Sequence, residues 1–280
     1  MIQIYPRFAQ PIPQRRTSLA AYAFLSLCVL AASGTEEEPS YNGRTLSQWL
    51  AIEHAVARTV GPGLHRAPEE AVRAMGTNAI PKLLEWTSYQ RSSAEREGQT
   101  EPTRPAPGTN QSPELTPLER ARSTVFGFCV LGAAARPAIP QLTELARSSS
   151  DADRARRCAV SLAAIGPEAI PSILSLATNA PGATRSHAIG ALEYMAGNPA
   201  LASAVPVLIQ CLGDTNWDNR ISGEACDALS AIGLPGVVLP ALTNALRSPN
   251  PDLRKQAAWC LAGFPEGASP VPAVTNTPPR

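Results

Sequence analysis

From Leu118 to Phe264 the apolar positions recur three and four residues apart in two alternating kinds of segment, a spacing that predicts amphipathic helices and no strands. In the first kind a small residue is followed four positions later by leucine: Gly127 to Leu131, Cys158 to Leu162, Ala188 to Leu192, Ala225 to Leu229 and Ala257 to Leu261. Residues i and i+4 share one helix face, and the small member lets a neighbouring backbone come close. These first helices tend to end in glycine (Gly166, Gly197, Gly233), which closes a helix by taking the left-handed conformation. In the second kind a proline opens the helix, where its missing N–H is harmless because first-turn donors have no intrahelical partner anyway. Counted from that proline, the second following residue is apolar (Leu83, Leu142, Ile173, Leu208, Leu242) and the fifth is Trp86, Leu145, Leu176, Cys211 or Ala245, so both are expected in the core. The fourth is always polar: Glu85, Glu144, Ser175, Gln210, Asn244. That lane is expected to face away from the core.

The two kinds of segment belong to one repeat, marked by Ala79-Ile80-Pro81, Ala138-Ile139-Pro140, Ala169-Ile170-Pro171, Ala204-Val205-Pro206 and Val238-Leu239-Pro240. From Pro140 onward the prolines lie 31, 35 and 34 residues apart, a period that fits one helix-turn-helix unit per repeat. The expectation is an all-α solenoid of antiparallel helix pairs with second helices beginning at Pro140, Pro171, Pro206 and Pro240, and with disordered termini. Residues 92–117 hold Glu, Gly, Thr, Pro, Asn and Ser with almost nothing apolar, which predicts a flexible insertion that separates Pro81 from Pro140 by 59 residues. The expected organisation is therefore 1–34 as a leader or anchor, 35–91 as a helical segment with one outlying repeat docked on the array, 92–117 as the insertion, 118–264 as the array, and 265–280 as a disordered, proline-rich tail.

The phrase resembles the HEAT repeat, in particular the short bacterial kind also seen in phycobilisome-lyase-like proteins, in which an arginine, an Ala-Leu pair, Ile-Gly and Ile-Pro-x-Leu recur. Arg185, Arg220 and Arg254 near the starts of first helices fit it, and the resemblance covers Leu118 to Phe264 with an outlying unit at Pro68 to Tyr89. It implies a solenoid that binds protein partners, and says little about which, because such arrays serve many unrelated ones. The opening Tyr41-Asn42-Gly43-Arg44-Thr45-Leu46-Ser47-Gln48-Trp49-Leu50 is similar to a segment found ahead of HEAT repeats in exported bacterial proteins.

Export is also what the N-terminus suggests. Arg7, Arg15 and Arg16 precede an apolar run from Leu19 to Ala32 broken only by Ser26, and the small residues Ala31 to Gly34 follow. The run is short of the roughly 18 to 20 residues that cross a bilayer, so cleavage is the first reading and a retained anchor through residues 19–32 the second. Leu25-Ser26-Leu27-Cys28 resembles a lipobox with Leu27 where Gly or Ala is usual, and Arg15-Arg16-Thr17-Ser18-Leu19 faintly resembles a twin-arginine signal. The destination expected is the periplasm or the cell exterior.

Composition narrows the partners. Only 5% of residues are aromatic against 44% hydrophobic, a balance that suits close-packed helices. With 24 basic and 23 acidic residues the net charge is +1, which offers nothing to nucleic acid, and a membrane is expected to be touched only by an uncleaved N-terminal segment. The cysteines Cys28, Cys129, Cys158, Cys211, Cys226 and Cys260 show no metal-ligand spacing. Removal of the leader would leave five, an odd number, of which most are expected to be buried free thiols, Cys158 and Cys211 in packing positions.

Catalysis and cofactors find no home in the sequence. His54, His65 and His187 enter no HExxH or HxH arrangement, and the absence of any His-Glu pair argues against the di-iron deoxyhypusine hydroxylase that shares this repeat. No GxSxG elbow, Walker loop or GxGxxG is placed after an expected strand. Glu36-Glu37-Glu38 reads as a solvated acidic stretch. Trp49 and Trp86 are expected to fill the junction with the array, and Trp217 to pack ahead of the next helix. No metal and no cofactor are expected. The function that follows is a non-enzymatic protein-interaction scaffold whose partner contacts the lane Glu144, Ser175, Gln210, Asn244, a partner the sequence leaves without an identity. The alternative is a small-molecule or tetrapyrrole-binding module of bilin-lyase type, for which the lane lacks the aromatic and charged residues such a ligand needs.

Overall fold

The computed structural model describes residues 37–60, 66–92, 114–214 and 220–264. The expected leader and tail, most of the insertion, His65 and Trp217 lie outside the described residues. The helices belong to the unit that begins at Glu38.

The chain enters through a two-residue ribbon, β1 (Ser40–Tyr41) against β2 (Arg44–Thr45), antiparallel with Ser40 opposite Thr45. No strand was expected here, and the reason for one is turn chemistry. Asn42 and Gly43 both take positive φ, 49° and 73°, as the tightest hairpin turn requires, and Asn-Gly is the pair that reaches those angles most easily. Helix α1 (Leu46–Val60) follows. Glu38 proves to be more than a solvated carboxylate, because it accepts hydrogen bonds from the backbone N–H of Ser47 and, at 3.1 Å, from its hydroxyl. An acceptor at a helix start answers donors that have no partner inside the helix. Trp49 is buried under the ribbon, its Nε1–H donating to the Tyr41 carbonyl at 3.0 Å, with the Arg44 guanidinium 5.1 Å from its ring centre.

Helix pairs then succeed one another: α2 (Arg66–Met75) with α3 (Ile80–Thr87), α4 (Pro117–Leu131) with α5 (Ile139–Arg147), α6 (Ala152–Ile165) with α7 (Ile170–Asn179), α8 (Gly182–Ala191) with α9 (Val205–Leu212), α10 (Ile221–Ala231) with α11 (Pro235–Ala245), and last α12 (Pro251–Ala262). First helices pack on first helices in sequence order, and each second helix packs on the first helix of the next pair. This is an all-α repeat fold. The small residues Gly127, Cys158, Ala188, Ala225 and Ala257 of the first helices are all buried, and so is the inward row Leu83, Leu142, Ile173, Leu208, Leu242 of the second helices.

The corners explain the Ala-Ile-Pro phrase. A glycine with positive φ (Gly76, Gly132, Gly166, Gly197) breaks the path of the first helix, and a 3-10 turn leads to an alanine that is fully buried at the corner: Ala79, Ala138, Ala169, Ala204. The α-helix proper then starts one residue before the proline, at Ile80, Ile139, Ile170 and Val205, which leaves the proline in the first turn as expected. The last corner departs from this. Helix α11 begins at Pro235, and Pro240 lies inside it. A second proline here does the opening, so the 3-10 turn of the other corners becomes one more turn of α-helix.

Starts are fixed by side chains elsewhere. Thr116 and Glu119 form a reciprocal capping box on α4, Asp151 caps α6 and Asn250 caps α12. The stretch Pro117–Arg147 is apolar and long enough to cross a membrane by composition, yet it folds as the pair α4–α5, broken at Gly132, with its apolar faces in the core.

Candidate functional site

The second helices carry the expected polar lane on their outer side. Glu144 on α5, Gln210 on α9 and Asn244 on α11 are exposed, and Ser175 on α7 is half-buried. Each stands between a fully buried residue two places earlier and, one place later, the half-buried Leu145 on α5 or the buried Leu176, Cys211 or Ala245. The direction of the lane is thus set by the same side chains that hold the helix to the core. Glu144 has one partner of its own, Arg147 at 2.9 Å, an exposed pair worth little to stability.

The outlying pair α2–α3 is docked on the array by two contacts of different kinds. One is steric: Gly127 of α4 faces Leu83 of α3 so closely that a Cβ at Gly127 would lie 2.6 Å from a leucine methyl. Nearby the Thr87 and Thr124 hydroxyls meet at 2.8 Å in a buried position. The other is a charge cluster at the start of α6, where Asp151 and Arg157 are only 3% and 4% exposed. Arg157 donates to the carbonyl of Tyr89 beyond the end of α3, and Asp153 takes Arg122 at 2.8 Å with Arg91 and Arg157 just outside hydrogen-bond range. Burial pushes the Arg157 pKa down, and the Asp153 carboxylate opposes that. Burial would raise the pKa of Asp153, but the hydrogen bond and charge of Arg122, with Arg91 and Arg157, outweigh it and hold the carboxyl below its usual value.

A folded-state pKa below the unfolded one contributes stability that is full above the unfolded pKa, about 3.9, and is lost as pH falls through the folded value. Asp153→Asn is therefore expected to lower stability by about 1 kcal/mol at neutral pH. The difference from the parent protein should vanish once the acid limb is crossed, as read by denaturant unfolding from pH 7 down to pH 2. A difference that stays constant across that range would show that the charge plays no part.

Arginines also finish the second helices. Arg154 donates to the Ser148 carbonyl at 3.0 Å, Arg185 to that of Ala177 at 2.8 Å and Arg254 to that of Ser248 at 2.7 Å, so the start of one first helix answers open carbonyls at the end of the preceding second helix. Arg185 reaches on to Asp214 at 2.7 Å. This gives the repeated arginine of the sequence its physical role at Arg185 and Arg254, and adds Arg154. Arg220 departs: it is exposed, has φ 53° and stands at the cap position of α10.

The cysteines correct the expectation that most are buried free thiols. Cys226 of α10 and Cys260 of α12 form a disulfide with Cα atoms 5.7 Å apart, and Cys129 is exposed. Cys158 and Cys211 are buried and free in the packing positions expected for them, and burial pushes the Cys158 thiol up to about 12. The signal for the pair was present in the sequence. Its separation of 34 equals the distance from Pro206 to Pro240, so the two residues fall on successive first helices. Beside the disulfide lies a cavity of about 390 Å³ lined also by Asp227, Ser230, Trp259 and Gly263.

His187 is half-buried and its pKa is lowered by burial and by Arg156, with Asp153 pulling the other way. His54 stands 3.6 Å from Glu119. Among the described residues no three His, Cys, Asp or Glu side chains come together in a way that could hold a metal ion.

A family model described as HEAT repeats matches residues 170–262, the span from α7 to α12. No curated protein matches the chain.

Proposed function

We propose that this chain, a HEAT-repeat protein, is a non-enzymatic scaffold that works outside the cytoplasm and binds a partner protein along the lane Glu144, Ser175, Gln210, Asn244. The observation that carries the reading is that four successive second helices offer a polar side chain at the same register, outside a row of buried ones. Three of the four are uncharged, which suits hydrogen bonding to an extended segment or a protein edge. Export is supported by the Cys226–Cys260 bond, since structural disulfides persist in oxidising compartments. The leader 1–34 is the route, either cleaved or kept as an anchor through residues 19–32. The tetrapyrrole alternative gains nothing from the cavity beside α12, which presents the Asp227 carboxylate where a ligand bearing carboxylates would need cations.

The test replaces Ser175 and Gln210, one at a time, by arginine, and compares proximity labelling and pull-down from the native host with the parent protein. The expected outcome is loss of the same partner from both variants with an unchanged melting temperature. Full retention in both would make the lane a solvated face and nothing more.

A further inference from the structure

Two aromatic side chains stand in solvent on the first-helix side, Tyr194, 64% exposed in the turn that ends α8, and Trp259, 61% exposed on α12. Helix α10 runs between those elements, packed against both, and carries Glu224 and Asp227 one turn apart. Glu224 lies over α8, its carboxylate 3.2 Å from the place a Cβ on Gly190 would take. Asp227 lines the cavity between α10 and α12 together with Trp259. Glu193, next to Tyr194, completes the strip: burial and then the charges of Glu224 and Asp227 raise its pKa. Among the described residues none of the three is ion-paired. Lys255 stands one turn before Trp259 on α12 and does not line the cavity.

Unpaired carboxylates that repel one another are relieved by a cation, and an indole face attracts the same cation through its ring quadrupole. A cavity of about 390 Å³ open to solvent and bordered by one carboxylate, one hydroxyl and one indole admits a long cationic side chain. We propose that this face docks a basic segment of a partner protein, with an arginine or lysine of that segment seated over Trp259 against Asp227. Its neighbours along the segment meet Glu224 and Glu193, and its apolar atoms meet Tyr194. The charge excludes phosphate-rich partners from this surface. The face is separate from the second-helix lane, so either can fail without the other.

Titration calorimetry of the full chain at low salt, with acetylated and amidated tetra-arginine as the probe and tetra-citrulline as its uncharged counterpart, tests the proposal. The expected result is saturable binding of tetra-arginine at least about tenfold tighter than tetra-citrulline, weakened at least about fivefold by Trp259→Ala and by Asp227→Asn. Gln210→Ala should leave it unchanged. Both side chains that are altered lie at the surface of the cavity, and the melting temperatures of the two variants should match the parent protein. Tetra-arginine binding that does not saturate, or that either variant keeps within about twofold of the parent affinity, would overturn the proposal.

Discussion

Replacing Cys226 and Cys260 by alanine is expected to lower the stability of the C-terminal end by about 4 kcal/mol, the loop-closure entropy that a link across 34 residues removes from the unfolded chain. The effect should be local. Each element of a repeat array leans on its neighbours, and among the described residues α12 packs chiefly on α9, α10 and α11. The link from α10 to α12 encloses α11 and the turn after it, so hydrogen exchange should quicken first in α11 and α12 while α4 to α7 keep their protection. A reductant should reproduce the change in the parent protein and do nothing further to the double variant. Equal unfolding midpoints for the parent protein with and without reductant would mean that the bond contributes nothing.

Leucine at position 127 is expected to lower stability by about 3 kcal/mol, because four added carbons must enter a contact that has no room for one. The methyls that a Cβ would meet belong to Leu83, itself fully buried on α3, so α3 has to move as a body. The predicted consequence is selective: α2–α3 should loosen from α4 and limited proteolysis between residues 60 and 92 should accelerate, while the array from α6 onward stays intact. Leu83→Ala in the same chain should recover part of the loss, which a general destabilisation of α4 would not allow. Uniform destabilisation without that rescue would show that Gly127 matters only as a helix residue.

The contrast between Gly127 and the disulfide marks what the amino-acid pattern could convey. Small-residue spacing and Ala-Ile-Pro are local signals repeated several times, and they located the first helices, the first four corners and the buried row two places after each proline, while at the fifth place Trp86 and Leu145 are only half-buried. The last second helix was placed five residues late because Pro235 competes with Pro240 as a helix start, and a rule learned from the other corners favours the second. The Asn42-Gly43 ribbon was missed because two paired residues have no periodicity to see. The cluster of Asp151, Asp153, Arg154 and Arg157 was missed for another reason: charges near the start of a helix read as solvated, and their burial depends on α3 arriving from some seventy residues away. The polar lane was legible as a register, but the acidic and aromatic face was not, since Asp227 and Trp259, each two places after the small residue of its first helix, differ in chemistry, and Glu193 stands at another position of its repeat.

The arginine bonds give the stack a direction. Since Arg154, Arg185 and Arg254 finish the helix of the pair before them, a cut just ahead of any of these first helices would strip the preceding second helix of its closing donor. A cut in the 3-10 corner would carry the arginine and the carbonyls away together. Gain and loss of copies in such a chain by duplication is therefore least disruptive when the breakpoints fall in the corners, and the unit of inheritance is a second helix joined to the next first helix, offset by half a repeat from the helix pair that the eye picks out.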